Sequence, residues 1–543
     1  MKRHSAICLV LLLAAACQPG GTVSRQEAAV LSGEVTSDEL LTADQLPGHW
    51  LTYSGGYRSW RYSGLDQVNT ANVHRLRLDW AFQFKSLEKV ETTPLVVNDV
   101  MYVTQPPSDA LALDVRTGRP YWEYRHKLPE RVSVCCGQVN RGMAILNGRV
   151  YLGTLDAQLV ALDAKTGAVV WKAKVAEYDE GYSITVAPLA VKDKIIVGIS
   201  GGEYGIRGFL DAYDAATGER AWRFYTIPGP GEPGNETWSG DSWKQGGAPT
   251  WITGSYDPEL DLIYWGTGNP APDWNGDVRL GDNLYASSVV AVEADTGKMR
   301  WYFQFTPHDV HDWDSVQIPV LVDGEFGGVR RKLMYFANRN GFYYVLDRTS
   351  GEFLLAKNYV KVTWAERIDE NGRPVRVPNM EPTEEGTLVY PGVQGGTNWY
   401  SPSYSPRTDL FYVPVWELPN LFYKGEADYT PGLPYWGGLV QGASEEPPGR
   451  GAIRALVPET GELKWEYPML TVPWAGVLTT AGDLAFGGTT DGQFFALDAR
   501  TGEQLWFAQL GGMIATNPIT YLNQGKQHLA ITAGTTLFSF ELE

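Results

Sequence analysis

"LVALDAKTGAVVWKAKV", Leu159–Val175, decides the fold. It is a strand ending at Asp163, an Asp/Thr-Gly turn, and a second alternating strand that carries Trp171, which is a hairpin by period and by turn chemistry. The phrase recurs as "LALDVRTGRPYWEY" (Leu111–Tyr124), "LDAYDAATGERAWRFY" (Leu210–Tyr225), "VVAVEADTGKMRWYFQF" (Val289–Phe305), "YYVLDRTSGEFLLAKNY" (Tyr343–Tyr359), "IRALVPETGELKWEY" (Ile453–Tyr467) and "FFALDARTGEQLWFAQL" (Phe494–Leu510). Where insertions are absent the period is about 40 to 50 residues, and a strand such as "GRVYLGTL" precedes each hairpin, so each unit reads as a four-stranded propeller blade.

The C-terminal "HLAITAGTTLFSFELE" stops short of its outer strand, and "LRLDWAFQF", Leu76–Phe84, can supply it. The predicted fold is therefore all-β: an eight-bladed propeller of four-stranded antiparallel blades, closed by pairing N- and C-terminal strands. Closure removes sheet edges that would otherwise invite aggregation. The long intervals Gly218–Gly297 and Gly351–Gly461 are expected to be insertions on one face, where loops carry function.

Composition agrees with many short strands: 543 residues with 60 Gly, 20 Trp and 29 Tyr, and 43% apolar. A net charge of −18 and a pI near 4.9 argue against nucleic acid as a partner and suit a basic protein partner. The start, "MKRHSAICLVLLLAAACQPGG", has the basic end, short apolar run and small residues of an export signal. That run is too short to span a bilayer, which needs about 20 residues. "LAAAC" is similar to a bacterial lipobox, with Ala14 where Leu is preferred, and predicts cleavage before Cys17 and a lipid on its thiol, with plain soluble export as the alternative. The expected organisation is a signal at 1–16, a lipid-anchored flexible linker at 17–45 and the propeller at 46–543. Cys135 and Cys136 are adjacent, so a bridge between them would close too small a loop to stabilise by chain entropy.

Several separated motifs go beyond the repeat. From about Trp50 to Phe540 the chain resembles the quinoprotein alcohol dehydrogenases of the methanol/ethanol type, eight-bladed propellers that use pyrroloquinoline quinone. "WRYSGLDQVNTANVHRLRLDWAFQF" is similar to the family's entry segment, and "VETTPLVVNDVMYV" places Glu91 at a cofactor-binding position. "CCGQVNRG" matches the family's vicinal disulfide, Cys135–Cys136, followed by an arginine, Arg141; "YLGTLD" gives Thr154. "GISGGEYGIRG" supplies Ser200, Gly201 and Gly202 for the quinone and Glu203 for the metal, and "GGAPTWITGSYDP" supplies Thr250 and the stacking indole Trp251. "GGTNWYSPSY" and "VPWAGVLTTAGDLAFGG" add Asn398, Trp399 and Trp474 as cofactor or pocket contacts.

The chemistry of these residues is coherent. The quinone carries three carboxylates, which Arg141, Thr154, Ser200 and Thr250 could meet with hydrogen bonds or charge. A flat ring system needs two flat walls, and Trp251 and the cystine ring are implied. Glu203, Asn269 in "YWGTGNPAPDWN", and carboxylates in "TPHDVHDWDSVQIP" form an all-oxygen set suited to a hard cation.

Within that last motif the resemblance makes Asp312 the general base and a metal ligand, taking the hydroxyl proton as hydride leaves the alcohol carbon for the quinone carbonyl, which the metal polarises. Arg339, in "FANRNGFYYVLDR", matches the basic residue beside the quinone oxygens, both catalytic and cofactor-binding. Asp314, two residues after Asp312, distinguishes lanthanide-dependent from calcium-dependent members, and implies a lanthanide with calcium as the alternative. His311 departs from the family's tryptophan: it either titrates near the site or fills the tryptophan's place. His308 matches the family and reads as structural.

No CxxCH motif occurs, so the electrons are expected to pass to a separate periplasmic cytochrome c. The alternative is a non-catalytic propeller acting as an envelope assembly or binding scaffold, which would not need Glu91, Arg141, Glu203, Asn269, Asp312 and Arg339 together. Leu418–Arg450, the expected specificity loop, does not choose among primary alcohols, polyols and aldehydes.

Overall fold

A computed structural model describes residues 34–443 and 450–543. Within them lie eight antiparallel sheets of four strands, one extended to five by the parallel addition of Tyr62–Ser63 to Leu478–Thr480. Each recurring phrase is the outer hairpin of a sheet. In the founding example Gln158–Asp163 pairs with Val169–Lys174, with a register shift before Trp171. The turn is built by Asp163, whose Oδ1 accepts from the backbone N and the Oγ1 of Thr166 at 2.8 and 2.7 Å. Gly167 closes it at φ +70, a left-handed conformation that favours glycine.

The tryptophan and the glycine of successive phrases belong together. Trp122 donates its indole N–H to Ala164 O at 3.0 Å, and a Cβ added at Gly167 would lie 2.6 Å from the Trp122 ring. The same contact joins Trp80 to Gly118, Trp171 to Gly218, Trp222 to Gly297, Trp301 to Gly351 and Trp465 to Gly502. Each sheet thus lays its outer indole on the turn of the next. Two sheets depart from this: where the phrase carries Leu355, Gly461 packs on Lys357 and Tyr343, and Trp506 packs edge-on against Phe494 and Phe540 instead of on a turn glycine.

Leu76–Gln83 pairs antiparallel with Thr536–Leu542, from Leu76↔Leu542 to Gln83↔Thr536. The insertions carry short 3₁₀ turns at Asn235–Thr237 and Ser242–Gln245, and a three-stranded sheet of Thr387–Val389, Asn420–Lys424 and Gly438–Gly442.

The export signal and Cys17 lie outside the described residues. The expected linker does not extend to residue 45 as a free tether. Ser37–Leu41 is a helix whose Thr36 cap and Glu39 form a reciprocal capping box, and Val35, Leu40 and Ala43 are buried in the apolar core. Burial of those three side chains ties the segment down.

Antiparallel order explains where function collects. The start of a sheet's first strand and the end of its second lie at the same end, so two connections per sheet reach one face. Glu91, Arg141, Trp251, Asp312, Asp314, Trp399 and Trp474 precede first strands; Ser200–Glu203, Asn269 and Arg339 follow second strands.

Candidate active site

These connections enclose a cavity of about 690 Å³. Of the residues expected to bind a cofactor, Glu91, Cys135, Cys136, Arg141, Ser200 and Gly201 line it, as do Trp251, Asn398, Trp399 and Trp474. Glu203, Asp312, Asp314 and Arg339 line it too. Cys135 and Cys136 are bonded, with Cα atoms 3.8 Å apart, and a Glu203 carboxylate oxygen lies within 4.8 Å of the sulfurs.

Arg339 organises the acids. It is buried, and its Nη1 donates to Asp314 Oδ2 at 2.6 Å while Nη2 reaches Asp312 Oδ2 at 3.2 Å. Val393 O accepts from Nε at 3.0 Å, fixing the fork. Asp314 also accepts from the Trp251 indole at 3.2 Å and from the Asn269 backbone N at 2.9 Å. Asp312 has φ +59, an uncommon conformation for a residue with a side chain, and its Oδ1 accepts no hydrogen bond among the described residues.

Asp273, which sequence reasoning passed over, joins this group by accepting from Asn269 Nδ2 at 2.8 Å. Burial pushes the Glu203 carboxyl up to about 7, and the Asp314 charge adds to the shift. Burial likewise raises Asp273, with the Glu203 charge reinforcing it, and raises Asp312 against the pull of Arg339. Four buried acids, of which Arg339 bonds only Asp312 and Asp314, fit a hard cation, which would reverse these shifts. The Asn269 side-chain oxygen accepts no hydrogen bond among the described residues and would lie 3.7 Å from a Cβ at Gly202, so it also suits a cation.

At the other end of the cavity, the Arg141 guanidinium lies 5.0 Å from the Trp251 ring and 4.9 Å from the Trp399 ring. Its Nη2 pairs with Glu91 Oε2 at 2.8 Å, while Nε and Nη1 are buried without an acceptor among the described residues. Unmet guanidinium donors beside two indoles fit a flat anionic ligand.

Two expected donors are spent elsewhere. The Thr154 hydroxyl donates to Asp156 Oδ1 at 2.6 Å, and the Thr250 hydroxyl donates to Phe209 O at 2.6 Å and accepts from Ile199 N. Neither residue borders the cavity, nor do Gly202 and Asn269, although Asn269 adjoins Asp314. Thr185, not singled out in the sequence, lines it and shares a 2.8 Å hydrogen bond with Ser200. Lys89 and Trp274 line it as well.

His311 stacks on Trp313 at 4.3 Å and donates from Nε2 to Met380 O at 2.9 Å. Burial pushes its pKa down to about 3, so it is a neutral filler behind the site. His308 hydrogen-bonds Gly281 O at 2.9 Å and is structural.

The loop after Asn420–Lys424 roofs the cavity. Tyr435 N donates to Glu203 O at 2.7 Å, Trp274 N to Trp436 O at 2.9 Å, and Ser133 Oγ to Gly432 O at 2.9 Å. It is thereby fixed to the loops that carry Glu203 and Asp273 and to the segment before the cystine, and Trp436, with Leu439 of the strand that follows, borders the cavity.

The model for the glucose/ethanol/alcohol dehydrogenase β-propeller domain that uses pyrroloquinoline quinone matches residues 50–375 and 451–529. The chain is 39% identical over 533 residues to quinoprotein alcohol dehydrogenase PedH of Pseudomonas putida, covering 92% of this chain and 88% of that one. It is 42% identical to a lanthanide-dependent methanol dehydrogenase of Methylacidiphilum fumariolicum, with 93% and 87% covered. A europium-containing methanol dehydrogenase superposes with a TM-score of 0.88 at 38% identity, covering 93% of this chain and all of that one. The quinohemoprotein alcohol dehydrogenase of Comamonas testosteroni superposes at 0.91 and 36% identity, with 95% and 84% covered. The chain belongs to the pyrroloquinoline quinone-dependent alcohol dehydrogenases.

Proposed function

We propose that the protein oxidises alcohols to aldehydes with Asp312 as the base, using pyrroloquinoline quinone and one hard metal ion, a lanthanide in preference to calcium. The quinone when bound supplies the two-electron acceptor, and the metal a Lewis acid. Glu91, Arg141, Ser200, Trp251, Asn398, Trp399 and Trp474 would hold the quinone, and Glu203, Asn269, Asp312 and Asp314 the metal. The observation that carries this reading is the arrangement of Asp312: Arg339 holds one carboxylate oxygen and leaves the other facing the cavity. That free oxygen takes the alcohol's hydroxyl proton. Arg339 fixes the direction of the acceptor oxygen, and the aromatic roof keeps water from the carbon being oxidised.

The lanthanide is supported by the position of Asp314 and by the two relatives whose names specify such ions. A third acidic ligand favours a trivalent ion by Coulomb attraction. Reconstitution of metal-free protein with the quinone and either lanthanum or calcium tests it. Dye-linked alcohol oxidation should follow lanthanum, and activity confined to calcium would reverse the assignment.

The sheets and their indole contacts support an eight-bladed ring over 46–543, with Leu76–Gln83 closing it on Thr536–Leu542. The leader at 1–16 supports export to the periplasm, with Cys17 as lipid anchor. The acidic surface supports a separate, basic cytochrome c as acceptor, and reduction of such a cytochrome should slow as salt rises.

A further inference from the structure

The cavity wall holds a cation to which no role has yet been given. Lys89 precedes Glu91 by two residues in the connection that leads into the strand Leu95–Val97. Its Nζ lies 2.9 Å from Glu91 Oε1 and 4.6 Å from the centre of the Trp474 ring. Glu91 is buried between this ammonium and Arg141, while the Lys89 side chain keeps 28% of its surface exposed.

One carboxylate is thus shared by two cations. Arg141 already neutralises Glu91, and two of its buried nitrogens still lack an acceptor among the described residues. The charge around Glu91 is positive, whereas Glu203, Asp273, Asp312 and Asp314 supply the other charged groups of the cavity wall besides Arg339 and are acidic. An anionic ligand entering such a cavity is repelled at one end and attracted at the other. The indole of Trp474 supports the lysine stem and its charge, limiting the freedom lost when the ammonium engages an acceptor.

We propose that Lys89 is a cofactor-anchoring residue, donating with Arg141 to a carboxylate of the quinone at the Glu91 end of the cavity. This rests on the quinone reading above, and the test separates the two. Full-length protein produced without a quinone supply is titrated with pyrroloquinoline quinone in the presence of lanthanum, following tryptophan fluorescence. The wild type should saturate at one equivalent, and no binding by the wild type would remove the quinone reading itself.

Lys89→Gln keeps a polar stem near Trp474 without the charge. Its Kd should rise by about ten- to a hundredfold, as for loss of a charged hydrogen bond, and should depend less on ionic strength. Lys89→Arg should recover most of the affinity. Lys89→Met, titrated in parallel, provides a second uncharged side chain should the Gln variant fold poorly. Wild-type affinity and wild-type salt dependence in a folded uncharged variant would overturn the assignment.

Discussion

Arg339 donates from Nη1 to Asp314 Oδ2 at 2.6 Å, and this bond divides the labour between the two acids that flank Trp313. Asp314 is gripped by Arg339, Trp251 and the Asn269 backbone, whereas Asp312 receives only the second arm of the fork. The first acid is held in place by three donors, and the second keeps one oxygen free among the described residues, which is what the proposed role of base requires.

That division predicts the response to Asp312→Asn. The amide keeps the shape but cannot take a proton, so turnover in the dye-linked assay should fall about 10²- to 10⁴-fold. Quinone retained through gel filtration should stay near wild type if the residue acts mainly on the proton. A variant with near-normal turnover would exclude Asp312 as the base.

For Asp314→Asn the expected change is in metal choice. Removing one negative oxygen from the cluster weakens attraction for a trivalent ion more than for a divalent one. Competition between lanthanum and calcium, read as metal content per protein, should shift by roughly 10–100-fold toward calcium. An unchanged ratio would mean that Asp314 serves only as a hydrogen-bond acceptor for Arg339, Trp251 and the Asn269 backbone.

The repeat was legible in the sequence because it is written in local chemistry, whereas the residues that line the cavity were singled out by family resemblance. Asp, Thr and Gly in one turn, with an aromatic a few residues later, can be recognised without knowing what the indole touches. Thr154 and Thr250 show the limit: a hydroxyl has several acceptors within reach, and only the fold shows that Asp156 and Phe209 O take them. Asp273 had a faint signal, an acid four residues after Asn269 in a proline-rich loop. Lys89 had another, its place two residues before Glu91. The docking of Val35 and Leu40 had none, since the surfaces that cover them come from strands distant in sequence.

Acid stability should depend on His311. Its folded pKa, about 3, lies below the ordinary value of 6.5 because burial penalises the cation. Between these values the unfolded chain binds a proton that the native protein does not, so stability falls as pH drops below 6.5. His311→Phe keeps a flat ring against Trp313 and removes this proton uptake. At pH 5 its stability relative to pH 7 should be better preserved by about 2 kcal/mol, measured by urea unfolding at both pH values. Parallel pH profiles for the two proteins would contradict the buried neutral imidazole.

The roof should control the size of the alcohol. Trp436 is partly exposed, contacts Trp274 at 6.3 Å and borders the cavity, so Trp436→Ala opens the mouth without touching the acids. For bulky primary alcohols kcat/KM should rise, and for small ones it should fall as the water-excluding wall is lost. The split should lie mostly in KM, since the proton acceptor is unchanged.

The join between sheets gives the last test. Trp222 lies on Gly297, where a Cβ would sit 2.5 Å from the ring and where φ is +69. Its indole donates to Ala294 O at 3.0 Å. The two sheets held there carry the Glu203 and Asn269 loops, so a packing fault at the turn reaches the metal site through rigid strands. Gly297→Ala should cost about 2–4 kcal/mol, from left-handed strain and from displacement of the indole. Its melting temperature should fall in the metal-free protein as well as in the loaded one. A fall seen only in the loaded protein would show that the turn tunes the site without holding the sheets, because a structural join must weaken both forms alike.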